Sequence, residues 1–306
     1  MNMCSQTTRK PIFVMESCVV AAAARARDVA QADTSADACL DAHGLCLLRG
    51  ACNEQVCEAC LAEVLQGLQC MLSLPATLSS KPSGRQFLTV STSPAFAPIQ
   101  EPKHRSDFML ALSPPVEAVL KAALTGLAGS ILEAALGRHA ELCELSAITS
   151  EPGAASQAVH SDGTWSTSHS RLITMFLALH DILDETMGPT HFWADTHAPS
   201  CFPDGRWRPP SESRAAEMTP TWYALHGGDA VLMDSLTWHC GGANASDRKR
   251  TLLVVSFREA AAEIEMQMAD AATDAVGTRR PKARESDEYF SMRPELRGTL
   301  RLSDFR

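Results

Sequence analysis

Residues 157–163 read Gln-Ala-Val-His-Ser-Asp-Gly, and this stretch decides how the rest of the chain is interpreted. His160 and Asp162 are two residues apart, so both side chains leave the same face of the chain if the stretch is extended. An imidazole and a carboxylate then lie side by side, as two ligands of a metal ion would. A second histidine from another strand would complete the two-histidine, one-carboxylate set that leaves adjacent positions open on Fe(II).

A second passage offers the third ligand. Residues 228–234 indicate a turn that feeds an apolar strand, which leads to His239 and then to a glycine-rich bend at residues 240–244. The next apolar run begins at Arg250, so the sequence predicts His239 and Arg250 on neighbouring antiparallel strands joined by a turn. A guanidinium can bind a carboxylate through two parallel hydrogen bonds. Metal ligands beside an inward-facing arginine therefore indicate a co-substrate that carries a carboxylate.

The pattern of apolar residues changes along the chain from helical to strand-like. Apolar residues recur at helical spacing after Asn53, a good N-cap, and between Ser113 and Gly137. Short apolar runs typical of strands lie at residues 44–50, 147–150, 172–179, 230–233 and 251–257. Residues 73–112 are rich in Pro, Ser and Lys and are predicted to form a loop with little regular structure. Helices followed by strands favour an antiparallel sheet with helices packed on one face.

The composition excludes several classes of protein. The 306 residues include 27 Lys and Arg against 36 Asp and Glu, a formal net charge of −9, which provides no basic face for a nucleic acid. No window approaches the length of apolar sequence that a membrane span needs. The 11 cysteines are irregularly spaced, which indicates free thiols in a reducing compartment. We therefore expect a cytoplasmic protein, with an organellar presequence in the Arg-containing N-terminus as the alternative.

Taken together, these passages make the sequence resemble the phytanoyl-CoA dioxygenase family of Fe(II)- and 2-oxoglutarate-dependent oxygenases. The family's pattern is His-x-Asp, a distant His, and an Arg about eleven residues after it; these positions are His160, Asp162, His239 and Arg250. Gln157 precedes the motif, and further similar text is found at residues 187–192, 196–197 and 228–229. The resemblance runs from about residue 38 to residue 257.

The sequence departs from the family's pattern at two places. The family's usual Pro-Gly before Thr-His is Ala194-Asp195 here, and the Ser that is sometimes found two residues after the distal His is Gly241. These departures concern a secondary contact to the co-substrate. They leave the three metal ligands and the arginine unchanged.

The resemblance implies a mainly β fold with flanking helices, built on a double-stranded β-helix (jelly-roll, cupin-like) core. It implies that His160, Asp162 and His239 hold Fe(II) and carry catalysis, while Arg250 and Gln157 bind 2-oxoglutarate. Molecular oxygen is then the other co-substrate, and ascorbate is a reductant. The implied reaction is the oxidation, by preference the hydroxylation, of a small and largely apolar metabolite with release of succinate and carbon dioxide.

Three segments are expected along the chain. Residues 1–35 form an N-terminal segment, residues 36–260 form the dioxygenase domain, and residues 261–306 form a lid or a packed extension of the same domain. Two other functions remain open: a zinc-dependent hydrolase with the same His-Asp-His ligands, and a non-enzymatic jelly-roll binding module. The expected partner is a small-molecule substrate. No feature of the sequence indicates an oligomeric state.

Several other residues have both a functional and a plainer interpretation. Cys57-x-x-Cys60, with Cys52 nearby, suggests zinc or redox chemistry, but a place on a predicted helix favours packing. His191 and His197 are expected in turns or walls, because neither has a carboxylate at strand spacing.

A basic pair and two aromatic residues complete the candidates. His104 and Arg105 could reach the site from the long predicted loop, since the family often has a basic residue in that region, although a solvated loop pair is the favoured interpretation. Trp165 and Phe176 are expected either to line the pocket or to belong to the core.

Overall fold

The computed structural model of the chain describes residues 19–21, 39–72, 76–80, 86–90, 99–100, 104–163, 170–260, 296 and 298–306. Within these parts the strands form a large sheet and a two-stranded sheet. The strands are β1 (Val19–Ala21), β2 (Leu45–Arg49), β3 (Ala76–Ser80), β4 (Gln86–Val90), β5 (Ile99–Gln100), β6 (Arg105–Met109), β7 (Glu141–Ser150), β8 (Leu172–Ala178), β9 (Thr190–Trp193), β10 (Ala230–Asp234), β11 (Trp238–Gly241) and β12 (Arg250–Arg258).

The large sheet has the order β1-β2-β10-β8-β12-β7-β6-β5-β4-β3, and the small sheet pairs β11 with β9. All pairs are antiparallel except β1 with β2. The small sheet faces one side of the large sheet, where the rings of Phe176 on β8 and Phe192 on β9 lie 6.0 Å apart. The architecture is a double-stranded β-helix with flanking helices, as predicted.

The helices are α1 (Glu54–Leu72), α2 (Pro114–Leu124), α3 (Leu127–Leu136) and the short α4 (Glu212–Ala215). Asn53 caps α1, since its Oδ1 accepts a hydrogen bond from the backbone N–H of Val56 at 3.0 Å. The predicted continuous helix between Ser113 and Gly137 is wrong in one respect. It is two helices bent by 74°, and the bend falls where Thr125 Oγ1 donates to the carbonyl of Lys121.

The prediction that residues 73–112 form a loop is wrong, because this region contains β3 to β6. β3, β4, β5 and β6 form a meander that continues the large sheet outward from β7. The Pro and Ser residues that suggested a loop lie mainly between the strands, whereas the sequence of β4, Gln-Phe-Leu-Thr-Val, is typical of a strand. Pairing of β6 with β7 supplies the hydrogen bonds that short strands lack when isolated.

The strands of the large sheet are apolar on both faces, and the two faces have different partners. On β8, Ile173, Met175 and Leu177 belong to the cluster that packs against α1, α2 and α3. Phe176 and Ala178 belong to a second cluster that faces β9. We refer to this second side as the inner face of the sheet. Each fully buried Leu, Ile or Phe side chain contributes about 1.5–3 kcal/mol to folding.

Residues 298–306 pack onto the same helical layer. Leu302 and Phe305 are 0% and 3% exposed and belong to the helix-side cluster. The backbone N–H of Leu142 on β7 donates to the carbonyl of Leu300 at 3.0 Å, which joins this segment to the sheet.

Among the described residues, no single helix has the length and apolar character needed to cross a membrane. The pair α2 and α3 passes that test only when joined across its bend, and both helices are packed in the core.

Candidate active site

Three side chains predicted as metal ligands come together in the structure. His160, Asp162 and His239 each offer one ligand atom, and these atoms lie within 4.8 Å of one another. Asp162 Oδ1 is 3.6 Å from His239 Nε2 and 3.9 Å from His160 Nε2. In the described part of the chain this is the one group of three or more His, Cys, Asp or Glu side chains with such spacing. Two imidazole nitrogens and one carboxylate oxygen therefore converge on a single point.

Hydrogen bonds to the backbone fix the orientation of both histidines. His160 Nδ1 lies 2.9 Å from the carbonyl of Ala158, and His239 Nδ1 lies 3.0 Å from the carbonyl of Thr237. A carbonyl can only accept, so Nδ1 carries the proton in each ring and Nε2 keeps its lone pair. The same arrangement orients histidines in metal sites generally. Both Nε2 atoms are thus ready to bind a cation beside Asp162.

Backbone pairing brings the ligands together from distant parts of the sequence. His160 and His239 form an isolated antiparallel bridge, with N–H···O distances of 2.9 and 2.8 Å. The N–H of Asp162 donates to the carbonyl of Ser235 at 2.9 Å. The side chains of His160 and Asp162 therefore lie on the same side, as predicted. They do so on a bridge and a bend, not on a regular strand.

The prediction that His239 and Arg250 lie on neighbouring paired strands is wrong. His239 is on β11, which pairs with β9, whereas Arg250 begins β12, which pairs with β7 and β8. Residues 242–249 carry the chain from the small sheet to the large one. The two residues therefore belong to different sheets.

Arg250 shares its part of the inner face with Arg105. Both are in register with Ser150 on β7, Arg105 from β6 and Arg250 from β12. Arg250 Nη2 donates to Ser150 Oγ at 3.2 Å, and Arg105 Nη2 donates to the carbonyl of Gly242 at 2.8 Å. Arg105 is 2% exposed and Arg250 is 1% exposed. The interpretation of Arg105 as a solvated loop residue is therefore wrong, whereas His104 is exposed.

In the described part of the chain, the two buried guanidiniums have no counter-charge. Among the described residues neither forms an ion pair, and Nε of both arginines and Nη1 of Arg105 lack a hydrogen-bond partner. Burial lowers the pKa of Arg105 to about 10. Burial, and then the charge of Arg105, lowers the pKa of Arg250 to about 9. Buried charges are normally paired, so this arrangement is suited to receiving an anion.

A glycine makes room for Arg105. A side chain at Gly241 would overlap Arg105 Nη1, and its Cβ would lie 2.7 Å from Gln157 Oε1. Gln157 Oε1 accepts a hydrogen bond from the N–H of Gly241 at 2.9 Å, so Gln157 holds the end of β11. A contact between Gln157 and the co-substrate stays a prediction. The guanidinium of Arg105 occupies the space that a side chain at this position would need. This explains why the sequence has Gly241 where the family sometimes has Ser.

The remaining candidates have structural partners. His197 Nε2 lies 3.0 Å from the carbonyl of Asp41, and Thr196 Oγ1 accepts from the N–H of Trp238, next to the ligand His239. Asp195 has a φ of 60°, the left-handed conformation that favours the glycine of the family's Pro-Gly.

The cysteines of the Cys-x-x-Cys pattern lie in the core, whereas Phe176 lies beside the candidate site. Cys57 and Cys60 are fully buried in the helix-side cluster. The ring centre of Phe176 lies 6.1 Å from that of His239, so Phe176 is a wall of the site. Trp165 lies outside the described residues.

The sequence profile of the phytanoyl-CoA dioxygenase (PhyH) family matches residues 40–252. The chain belongs to this family. No curated protein sequence matches it.

Several solved structures resemble this member of the PhyH family. One is the non-haem α-ketoglutarate-dependent epimerase SnoN of nogalamycin biosynthesis, in complex with Fe³⁺, α-ketoglutarate and nogalamycin RO. It has a TM-score of 0.54 and 17% identity over 84% of this chain and 94% of that one. EvdO2 from Micromonospora carbonacea var. aurantiaca, complexed with 2-oxoglutarate, has a TM-score of 0.48 and 17% identity over 78% and 91% of the two chains. The likeness to SnoN shows a shared fold.

Proposed function

We propose that this PhyH-family chain is an Fe(II)- and 2-oxoglutarate-dependent dioxygenase. Its reaction oxidises a small, largely apolar metabolite, in the simplest case by hydroxylation, and releases succinate and carbon dioxide. The observation that carries the proposal is the combination of a convergent His-Asp-His set with two buried arginines that have no counter-charge among the described residues. A bound metal ion would satisfy the His-Asp-His set, and the carboxylate of a co-substrate would pair with the two arginines.

The donor atoms fit Fe(II). Two neutral imidazoles and one carboxylate suit this ion, and three ligands on one side leave room for co-substrate and oxygen. His160, Asp162 and His239 would hold it. When bound, the ion supplies the oxidative chemistry with molecular oxygen, with ascorbate as a reductant that keeps it ferrous. The side chains of Asp162 and His160 are 34% and 30% exposed, while that of His239 is 6% exposed, so the site opens on the side of the motif.

The arginines provide the anchor for 2-oxoglutarate. Its far carboxylate can accept hydrogen bonds from the buried nitrogens of Arg105 and Arg250 and from Ser150 Oγ. Such charge-assisted bonds are roughly twice as strong as neutral ones. Leu252 and Phe176 line the inner face beyond the arginines and belong to the apolar cluster there, which keeps water from the co-substrate.

The likeness to SnoN supports the pairing of metal and co-substrate, since that protein binds Fe³⁺ and α-ketoglutarate. SnoN is an epimerase, so the same fold serves an outcome other than hydroxylation. We therefore propose hydroxylation on chemical grounds. Transfer of a hydroxyl group to the substrate carbon is the simplest outcome once a hydrogen atom has been removed from that carbon. Analysis of the oxidised product decides between the outcomes.

The two other functions explain fewer of these features. A zinc hydrolase would use the same three ligands, with a bound water as nucleophile. It would still leave two buried arginines without an anion unless its own substrate carried a carboxylate or phosphate. A binding module without a metal would leave both Nε2 atoms and Asp162 without a role.

One experiment separates the three functions. Iron-loaded protein is incubated with ascorbate and 2-oxoglutarate, and succinate is measured, since enzymes of this kind turn over slowly without substrate. Asp162→Ala serves as the control for metal-dependent turnover. Succinate from wild type alone supports the dioxygenase. Absence of succinate together with stoichiometric zinc in the isolated protein supports the hydrolase, and absence of both supports the binding module.

A further inference from the structure

The inner face of the large sheet is polar at both ends and apolar between them. At one end Arg105, Ser150 and Arg250 are neighbours across three strands. At the other end Glu144 on β7 is in register with Ser256 on β12, which is in register with Thr174 on β8. We refer to Glu144, Ser256 and Thr174 as the polar row. Glu144 is six residues from Ser150, so the two ends are about 20 Å apart along the strand.

The two rows between these ends are mainly apolar, although Ser146 lies in one of them and Asp107 on β6 pairs with Ile148 in the other. Ile148 pairs with Leu252, and Ser146 pairs with Val254, which in turn pairs with Phe176. An all-apolar inner face would bury more apolar surface and require no hydrogen bonds, so a polar row at this position needs another explanation.

Hydrogen bonds from the polar row and from Ser146, in the next row, hold the Glu144 carboxylate in place. Ser256 Oγ donates to Glu144 Oε2 at 2.5 Å, and Ser146 Oγ donates to Glu144 Oε1 at 3.5 Å. Thr174 Oγ1 lies 2.9 Å from Ser256 Oγ. The three hydroxyl-bearing residues are 0–1% exposed, whereas Glu144 is only partly buried. The hydroxyls therefore hold the carboxylate in position, and Glu144 is the residue of the row that keeps some exposed surface.

The carboxylate lies close to the metal ligands and without a cation of its own. Burial, and then the charges of Asp107 and Asp162, raise the pKa of Glu144 to about 8. The backbone links the two sites: the N–H of Asp162 donates to the carbonyl of Ser235, whose own N–H donates to the carbonyl of Leu172, two residues before Thr174 on β8. In the described parts of the chain no Lys, Arg or His forms an ion pair with Glu144, and its side-chain partners are the two serines.

These features place Glu144 at the end of the inner face that lies away from the arginines, beside the His-x-Asp motif. The arginine end accounts for the co-substrate, so the remaining space belongs to the substrate that is oxidised. A partly buried carboxylate backed by hydroxyl donors is an acceptor for a cationic group, because a desolvated negative charge gains most from a positive partner. The apolar rows beside it contact hydrocarbon.

We propose that Glu144 binds a protonated amine of the substrate, whose apolar body lies along Val254 and Phe176 and presents a carbon to the metal. The proposal rests on the proposed dioxygenase function and adds the substrate class: an amphiphilic amine. Ser256 and Ser146 are positioning residues that hold the carboxylate, and Glu144 determines specificity.

The test uses the holoprotein and a pair of matched probes. Protein loaded with Mn(II) and 2-oxoglutarate is titrated with n-hexylamine or with n-hexanol, and binding is followed by the paramagnetic relaxation of the probe's protons. We expect the amine to bind about 10- to 100-fold more tightly than the alcohol, as a charged hydrogen bond allows. Glu144→Gln should remove that preference and leave the affinity for hexanol within about twofold. Glu58→Gln, at an exposed position on α1, is the matched control and should behave as wild type.

The outcomes separate the two proposals. Failure of wild type to bind Mn(II) and 2-oxoglutarate overturns the proposed function, on which the amine site depends. If both bind, equal affinity for amine and alcohol overturns the amine site alone, as does an amine preference that survives Glu144→Gln. The amine site is also overturned if the amine shows no saturable binding up to about 50 mM, which is near the weakest affinity that the titration is designed to detect.

Discussion

Arg105 and Arg250 lie on opposite sides of the same residue, Ser150, each one strand away from it and each buried without a counter-charge in the part of the chain that the structure describes. Two like charges in such proximity weaken the folded state and lower each other's affinity for protons. Binding of an anionic ligand between the two guanidiniums would relieve this repulsion. The relief is available from a dianion, because one carboxylate can be shared by the two guanidiniums while the other end of the molecule reaches the metal.

Asp162→Ala should abolish metal-dependent turnover, because it removes the one carboxylate among the three ligands. The loss of metal affinity should exceed the roughly 10- to 100-fold that removal of an outer-shell partner costs. Metal content after dialysis and a Co(II) titration measure the effect. Asp247→Ala, at an exposed position, is the control. Wild-type metal affinity in Asp162→Ala would show that Asp162 is not a ligand.

Arg250→Ala should weaken 2-oxoglutarate binding while the metal is retained. Truncation of one partner of a buried charge pair typically costs about 2–5 kcal/mol, which corresponds to roughly 30- to 4,000-fold in affinity. Arg250→Lys should recover only part of the loss, since an ammonium cannot form the two parallel bonds. Calorimetric titration with 2-oxoglutarate gives the affinities, and the exposed Arg248→Ala is the control. Unchanged affinity in Arg250→Ala with full metal content would contradict the anchor.

Binding of 2-oxoglutarate should take up protons in alkaline solution. Burial lowers the pKa of Arg250 to about 9, so near pH 9 about half of the molecules carry a neutral guanidine there. A bound carboxylate favours the charged form and raises that pKa, so about half a proton enters per ligand. The affinity should accordingly fall as the pH rises from about 8 to about 10. Titrations in two buffers of different ionisation enthalpy measure the uptake, and a pH-independent affinity would count against it.

Gly241→Ser should disturb Arg105, since the new side chain and Arg105 Nη1 need the same space. We expect reduced stability and reduced 2-oxoglutarate affinity. Combining Gly241→Ser with Arg105→Ala should restore part of the stability, with a coupling energy of about 0.5–3 kcal/mol, and should not restore the affinity. Chemical denaturation of the four proteins in this cycle gives the coupling. Strict additivity of the two substitutions would refute the shared space.

Metal-free protein should lose stability as the pH rises, through Glu144. Its pKa is raised to about 8 from the ordinary value of 4.5, so between these values the folded state holds a proton that the unfolded state has released. Stability therefore falls with rising pH across this window. Glu144→Gln should flatten the dependence of melting temperature on pH, whereas Glu58→Gln should not. A profile unchanged by Glu144→Gln would mean that this carboxyl titrates normally.

Most of the site could be predicted from sequence, because its ligands sit in short local patterns. His160 and Asp162 are neighbours in the chain, and His239 and Arg250 are marked by glycines and apolar strands. Strands β7, β8, β10 and β12 were also recognisable from their apolar runs. These features depend on residues within about one strand length of each other.

The parts that were missed depend on strand register. Arg105 is buried because β6 pairs with β7, and nothing in the Pro- and Ser-rich surroundings indicates that partner. The polar row needs Glu144, Thr174 and Ser256 to meet from three strands that are distant in sequence. Alternation in β7, with Glu144, Ser146 and Ser150 on one face, was the signal that could have revealed it.

The position of Leu302 and Phe305 in the helix-side cluster has a consequence for how the chain is made. Every metal ligand and both arginines have left the ribosome before these two residues are synthesised. At about 5–20 residues per second, the interval from the end of β12 to Phe305 lasts roughly 2–9 seconds. During that time the apolar faces of α2 and α3 lack their final cover, and the nascent chain is most open to aggregation and to chaperones. A stop codon just before Leu302 should yield a protein with a complete catalytic set and an unsealed core, detectable by its binding of a hydrophobic dye.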